Sequence, residues 1–386
     1  MFLHTYYRYP GGEDVVVTAE LALLRERGHD VMELAFNNND LEALALWRQG
    51  LATIWNHRAF QEAREAIRNF HPEILHIHNT FPLASPAVIR AAKAEGIPVV
   101  MTLHNYRLLC INALLFREGG VCEECLGKTL PWPGVIHGCW RGRGASAATA
   151  GMLGLHRLLG TWDSVDGFIA LTAFAREKFI QGGLPWGKIH IKPNFVYPDP
   201  APGDGRKGHV LFVGRLSLEK GVRTLLRAWE ILDGSIPLII VGDGPLALDV
   251  RQATEHLPSL EWLGRQSLRE VYSLMGESSF LVFPSEWYEG FPRVLVEAFA
   301  RGLPVVASGL GSQASIVENG RTGFHFRPGD PEDLAAKVTW LMEHPKELSR
   351  MRKEARAEYE AKYTAERNYQ ILMKIYERAI EAARQS

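Results

Sequence analysis

Four cysteines in 386 residues are too few for a disulfide-built scaffold. A formal net charge of −1 leaves no global field to attract nucleic acid or an anionic surface. No apolar run approaches the roughly 18–20 uncharged residues that a membrane span requires. The first residues, MFLHTYYRYPGGEDVVV, lack a basic region followed by an apolar stretch, so no signal peptide is expected and the default location is cytoplasmic. What remains is a globular balance, 46% hydrophobic and 23% charged, on a chain long enough for two domains.

Short apolar runs alternate with amphipathic stretches throughout, which predicts repeated strand–helix units around parallel sheets. In the first half, strands are expected at 31–36, 74–77, 99–103, 167–171 and 189–192, with helices near 13–27, 58–70, 85–94 and 173–181. Residues 197–205 are rich in proline and glycine and suit a linker. The pattern then restarts, with strands expected at 210–213, 238–241, 260–263, 280–283, 305–307 and 323–326 and mostly helix over 331–379. The expected fold is therefore α/β, with two doubly wound, Rossmann-like domains. The domains are placed at 1–195 and 208–362, joined by a linker at 196–207, and a final helix at 363–386 is expected to pack back on the first domain. Ligands of such sheets bind beyond the carboxyl ends of the strands, here in a cleft between the domains.

In the second half, the strand ending at Val213 runs into Gly214, Arg215 and, after a short turn, Lys220 and Gly221. A planar guanidinium and a mobile ammonium beside a helix start make a diphosphate clamp, although two solvated surface cations would look the same. Further on, Gly290, Phe291 and Pro292 stand at the start of a helix after the strand 280–283. Free N–H groups there suit an anion. Glu289 before the turn and Glu297 inside the helix could accept hydrogen bonds from sugar and ribose hydroxyls; the plainer alternative is a helix cap and a solvated acid.

The order Gly214-Arg215, Glu219-Lys220-Gly221, Gly242-Asp243-Gly244-Pro245, Glu289-Gly290-Phe291-Pro292, Glu297 and Gly302-Leu303-Pro304 resembles the retaining glycosyltransferase family four, the group 1 glycosyl transferases of GT-B fold. The resemblance implies that Arg215 and Lys220 hold the donor diphosphate, that Glu289 contacts the transferred sugar and that Glu297 binds the ribose. It sets Arg265 near the base. It also implies transfer of a sugar from a nucleotide-sugar to a glycan or lipid-linked acceptor, without a catalytic metal and in cell-surface polysaccharide or glycoconjugate synthesis. One position departs from the family pattern: Ser315 stands where an acid is usual, so the loop 309–314 is given no role, and its imitation of a dinucleotide fingerprint falls after the wrong strand.

In the first half, Gly11 and Gly12 in the Tyr9–Asp14 turn let a phosphate approach the backbone, or simply make a tight turn. The resemblance places this loop near the donor. His104, at a strand end, could donate to a hydroxyl or phosphate oxygen or be structural, and the resemblance favours contact with the donor sugar. His76 and His78 share one strand face, with His78 the nearer to the cleft. Cys110, Cys122, Cys125 and Cys139 fall in a loop at 105–144, with spacing that suits structural zinc, reduced thiols or a disulfide. Arginines 141 and 143, followed by the apolar stretch 145–160, could touch the inner membrane face or pack in the core. Two other readings share the donor site. A nucleotide-sugar 2-epimerase would turn over donor without acceptor, and a non-catalytic binding subunit would show no single-turnover transfer.

Overall fold

The computed structural model describes residues 1–7 and 11–385, apart from the side chain of Glu42, and the chain divides into two compact units. The first contains Met1–Leu115, Cys122–Asn194 and Asn368–Ser386, and the second Phe116–Val121 and Phe195–Arg367. Strands β1 (Phe2–Tyr6), β2 (Glu33–Asn37), β3 (Leu75–Asn79) and β4 (Val99–Leu103) come first. A hairpin of β5 (Phe116–Arg117) and β6 (Gly120–Val121) follows, then β7 (Gly167–Ala170) and β8 (Ile189–Ile191). The first sheet is parallel in the order β2-β1-β3-β4-β7-β8.

The second unit carries β9 (Val210–Val213), β10 (Leu238–Val241), β11 (Leu260–Gly264), β12 (Phe280–Phe283), β13 (Val305–Ser308) and β14 (Gly323–Phe326). They form a parallel sheet in the order β11-β10-β9-β12-β13-β14. Its strands read as unbroken apolar runs because helices cover both faces. The helix Val222–Ile231 buries Val222, Leu225 and Trp229 completely against β9 and β10 side chains, and Trp229 Nε1 donates to the Ile236 carbonyl at 2.9 Å. The other face is closed by Leu295, Val296 and Phe299 of the helix Arg293–Ala300. In each sheet the winding reverses beside the unit's first strand, between β1 and β3 and between β9 and β12. Those reversals are where doubly wound sheets open a crevice.

The sequence pattern places the second sheet to within a residue or two, and 331–379 is helical as expected. Three helices of the first unit, Leu46–Ile54, Trp132–Ile136 and Arg143–Leu158, were not assigned as such by periodicity. The first leaves Leu46, Trp47 and Leu51 exposed, so its apolar residues do not mark a buried stripe.

Loop backbones at the second reversal touch without room for side chains. Gly221 has φ +68°, and a β-carbon there would stand 1.9 Å from the Pro284 carbonyl oxygen. One on Gly242 would stand 1.8 Å from the Gly214 oxygen. Gly221→Ala should therefore lower stability by about 3 kcal/mol or more, read from denaturant unfolding. A loss under about 1 kcal/mol would show that the two loops are free to part.

Candidate functional site

In the second unit the loops after β9 and β12 meet at the reversal. The Glu286 N–H donates to the Glu219 carbonyl at 2.9 Å, and Ser285 Oγ reaches the same oxygen at 3.3 Å. This seam sets Lys220 Nζ 2.6 Å from Glu289 Oε1. The same carboxylate oxygen accepts from Ser285 Oγ at 2.7 Å and from Trp287 Nε1 at 2.9 Å. Glu289 is buried and is held by three donors, so it does not cap the following helix. That helix, Arg293–Ala300, has no side-chain cap. The Gly290 and Phe291 N–H groups have no hydrogen-bond partner among the described residues, and they stand at its entry. Uncapped donors at a helix start carry partial positive charge and suit an anion.

Arg215 lies exposed on the β9 loop, with no ion pair among the described residues. An exposed guanidinium on this loop is available to phosphate oxygens. Glu297 is buried and paired with Arg293, Nη2 to Oε1 at 3.0 Å. Burial pushes its carboxyl above the usual range, with Arg293 opposing. Arg265 follows β11, is largely exposed and lies 3.8 Å from Asp243. Ser315 is exposed and bonds the Gly311 carbonyl, while in the same loop Ser312 Oγ donates to the Gly290 carbonyl and Gln313 Nε2 to those of Ser285 and Trp287. Sequence reasoning did not single out Trp287 and Arg293, although both flank the glutamates they hold.

In the first unit a polar network lies beneath the strand ends. Lys192, just past β8, is buried and bonds Glu20 of the helix Gly12–Glu26. His76 is held at both nitrogens, by Tyr376 Oη at 2.7 Å and Thr102 Oγ1 at 2.7 Å. His78 Nε2 faces Glu20 Oε2 at 3.4 Å, and His78 Nδ1 lies 2.9 Å from His104 Nε2. The expectation that His78 faces a cleft is corrected: it is buried beneath His104 and supports it. Burial, reinforced by nearby positive groups including Lys192, holds His76, His78 and His104 well below the usual imidazole range, so all three are neutral.

Their neutrality fixes the proton positions. A lone pair on His78 Nε2 would oppose the Glu20 carboxylate, so that nitrogen carries the proton. His78 Nδ1 is then an acceptor for His104 Nε2–H, and His104 Nδ1 is left with a lone pair. That nitrogen has no partner among the described residues. His104 thus offers an acceptor to a hydroxyl, where the sequence suggests a donor. A cavity of about 30 Å³ lies against His78, Thr102, His104 and Asn105, enough for a water molecule.

Tyr9 and Pro10 of the glycine turn lie outside the described residues. Gly11 donates its N–H to Asp14 Oδ2 at 2.7 Å, so that group is not offered to a phosphate; Gly12 opens the helix. Asp14 also bonds His4 Nε2 at 2.8 Å. The neighbouring Glu13 reaches Tyr7 Oη at 3.4 Å and Asn105 Nδ2 at 3.5 Å. Burial and the adjacent Asp14 raise its carboxyl to about 8.

None of the four cysteines forms a disulfide. A tetrahedral centre with bonds of about 2.3 Å needs sulfurs within about 4 Å of one another. Among the described residues, however, the one group of three metal-capable side chains within 4.8 Å is Glu20, His76 and His78. Cys110 and Cys125 are buried and turn to local acceptors instead, Asn112 Oδ1 at 3.0 Å and the Pro131 carbonyl at 3.8 Å. Cys122 and Cys139 are half-buried. Burial and the three neighbouring thiols push Cys125 up to about 11. The Glu20 cluster is no better suited to a metal, because the Lys192 ammonium already serves as its cation.

Two family models match the chain: "Glycosyl transferases group 1" over residues 199–358 and "Glycosyltransferase Family 4" over 10–199. An uncharacterised glycosyltransferase of Methanocaldococcus jannaschii is 36% identical over 169 residues, 43% of this chain and 47% of that protein. The chain spans less than half the length of the first curated relatives it matches. A glycosyltransferase from Rickettsia africae superposes with a TM-score of 0.72 at 16% identity over 98% of both chains. Anabaena HepE, solved with UDP and glucose, superposes at 0.66 with 18% identity over 97% of this chain and 98% of its own. These structural likenesses establish the GT-B fold.

Two measurements check the first unit. Long-range proton–nitrogen NMR correlations at neutral pH should show His104 protonated at Nε2; a proton on Nδ1 would overturn the chain of donors from Glu20. Glu13 binds its proton more tightly folded than unfolded. The stability this contributes is complete below the unfolded carboxyl pKa and is lost as pH rises towards about 8. Glu13→Gln should therefore flatten the decline in melting temperature between about pH 5 and 8. An unchanged profile would contradict the shift.

Proposed function

Because the chain belongs to the group 1 glycosyltransferases, we propose that it transfers a sugar from a nucleoside diphosphate sugar to a glycan or lipid-linked acceptor, with retention of anomeric configuration. The observation that carries this reading is the seam at the second reversal. There Lys220, the buried Glu289 and the uncapped entry at Gly290–Pro292 converge, with Arg215 exposed on the same β9 loop as Lys220. The Anabaena neighbour's UDP and glucose support a nucleotide-sugar as donor. The setting we infer is cytoplasmic synthesis of polysaccharide or glycoconjugate.

The chemical demand is to stabilise a departing diphosphate while positive charge develops on the sugar ring. Arg215, Lys220 and the helix entry supply fixed positive potential at the leaving group. Glu289, already anchored by Ser285 and Trp287, orients the sugar hydroxyls. In a front-face displacement the acceptor oxygen bonds to the anomeric carbon as the bond to phosphate breaks, and the hydroxyl proton passes to the departing phosphate oxygen. The buried Glu297–Arg293 pair is available to the ribose.

Arg215 is the better test position, since Lys220→Ala would also strip a partner from buried Glu289. Arg215→Ala should lower kcat/KM about 10²–10³-fold while the melting temperature stays near that of the parent. A panel of nucleoside diphosphates, UDP first, should raise the parent's melting temperature. Stabilisation should approach about 2.7 kcal/mol at a hundredfold excess over Kd. No shift with any of them would sink the donor assignment.

A further inference from the structure

Many of the large exposed apolar side chains fall on one part of the first unit. Leu46, Trp47 and Leu51 lie on the helix Leu46–Ile54, Trp132 and Ile136 on the helix Trp132–Ile136, and Leu158 at the end of the helix Arg143–Leu158. Leu46 is 83% exposed, Leu158 79% and Trp47 64%. The three helices are joined side by side. A β-carbon on Gly50 would lie 3.7 Å from Ala148 Cβ, and Gly151 is against Ile54 Cδ1 at 3.4 Å. On the other flank Leu130 Cδ1 is 3.1 Å from the corresponding point on Gly154, and Arg143 Nε donates to the Ile136 carbonyl at 3.2 Å. The central helix also shows Gly144, Ala147 and Leu158 outward at helical spacing.

Charge is distributed one way over this surface. No Asp or Glu occurs from Ala43 to Gln61 or from Leu126 to Trp162, whereas Arg48, Arg141 and Arg143 are exposed there. Two of these arginines and a nearby lysine lie against aromatic rings. Arg48 is over Trp47 at 5.0 Å, Lys128 over Trp132 at 5.7 Å and Arg141 over Trp140 at 5.5 Å. Of the acids at the margins, Glu62 pairs with Arg58 and Glu124 with His137, while Asp163 is exposed with no ion pair among the described residues. The overall charge of −1 makes an acid-free, arginine-bearing apolar face a local property and not a consequence of a basic chain.

We propose that this three-helix face docks the protein on an anionic lipid bilayer, resting on the reading above that the acceptor is lipid-linked. Exposed Leu and Trp side chains enter the headgroup boundary, where Trp is favoured, and the arginines meet the lipid phosphates. A folded protein partner with an acidic patch would satisfy the arginines, but it would not call for Leu and Trp this exposed on three adjoining helices. No helix among the described residues is long and apolar enough to cross a membrane, so the contact is peripheral. The face occupies the segment that follows Cys125, and the stretch 145–160 singled out in the sequence forms only its centre. The helix Leu46–Ile54, distant in sequence, doubles its apolar content.

The test is sedimentation with sucrose-loaded vesicles of phosphatidylcholine containing about one-third phosphatidylglycerol, against pure phosphatidylcholine, at low and high salt. The parent should partition onto the anionic vesicles, with at least tenfold weaker binding to the zwitterionic ones and a marked loss at high salt. Leu46→Ser/Leu158→Ser and Arg141→Glu/Arg143→Glu should each weaken binding at least tenfold while the nucleotide-induced thermal shift is kept. Both pairs sit on exposed positions, and the retained shift shows that each variant is folded. Equal partitioning of parent and both variants, or no partitioning at all, overturns the proposal. So does a concentration-dependent dimer in analytical ultracentrifugation that Leu46→Ser/Leu158→Ser abolishes without any vesicle binding, since the occupant would then be a second copy. Failure on vesicles with an intact nucleotide shift removes the docking face alone. Vesicle binding without any nucleotide shift removes the transferase reading and leaves the face.

Discussion

Everything in the second unit's candidate site depends on one packing constraint, the contact of loop backbones at the point where the sheet reverses. Gly221 presses on the Pro284 carbonyl, Gly242 on the Gly214 carbonyl, and a β-carbon on Gly244 would stand 2.4 Å from the Leu216 carbonyl. With side chains excluded, the loop after β9 is clamped between those after β10 and β12. Hydrogen bonds between Glu286 and Glu219 and between Leu216 and Asp243 then hold it in register. Lys220 meets Glu289 because the backbone on either side has no other course. Catalytic geometry that must hold to a fraction of an ångström is well served by backbone contact, which has no rotamers to sample.

The first unit solves a different problem, the burial of charge. Lys192 and Glu20 are both essentially without solvent, and a buried pair of that kind carries a desolvation cost that only close geometry and further hydrogen bonds offset. Here the further hydrogen-bond partner is Asn368, with His78 Nε2 facing Glu20 Oε2 at 3.4 Å. The consequence is directional. A fixed carboxylate at one end of a row of neutral imidazoles selects one tautomer in each, and the last of them presents a lone pair. The arrangement therefore determines what kind of group His104 can bind without titrating at neutral pH.

How much of this was legible in the sequence follows from how local each feature is. Parallel strands buried on both faces are continuous apolar runs, so β9, β10 and β12 could be placed from pattern alone. The residues that meet at the second reversal were legible because Gly221, Lys220, Glu289 and Pro292 sit within short loops whose glycine and proline content is itself the signal. The network of the first unit was not. Glu20 and Lys192 are separated by most of that unit, and His76 owes its partner Tyr376 to the final helix, so no spacing announces them. His78 was misjudged because nearness to a strand end says nothing of what lies above it, and His104 lies there. For the cysteines, spacing brings four thiols into one loop, but only the fold sets the distances between the sulfurs, and two of them turn to nearby oxygens.

The two units thus handle polar groups at strand ends in opposite ways, and the difference has chemical content. In the second unit Arg215 stays solvated and unpaired, the helix entry is uncapped and Lys220 holds a single carboxylate, so positive potential is left over for an incoming anion. In the first unit the Lys192 charge is consumed by Glu20, the imidazoles are neutral, the Gly11 N–H is already given to Asp14 and two acids, which oppose an anion, stand in the first turn of the helix. A nucleotide-sugar has one strongly anionic part and one part made of neutral hydroxyls. Surplus positive charge suits the first, and a fixed neutral acceptor suits the second. If the two chemistries were exchanged, an exposed arginine would gain little from a sugar hydroxyl, and a carboxylate-backed histidine would repel a diphosphate.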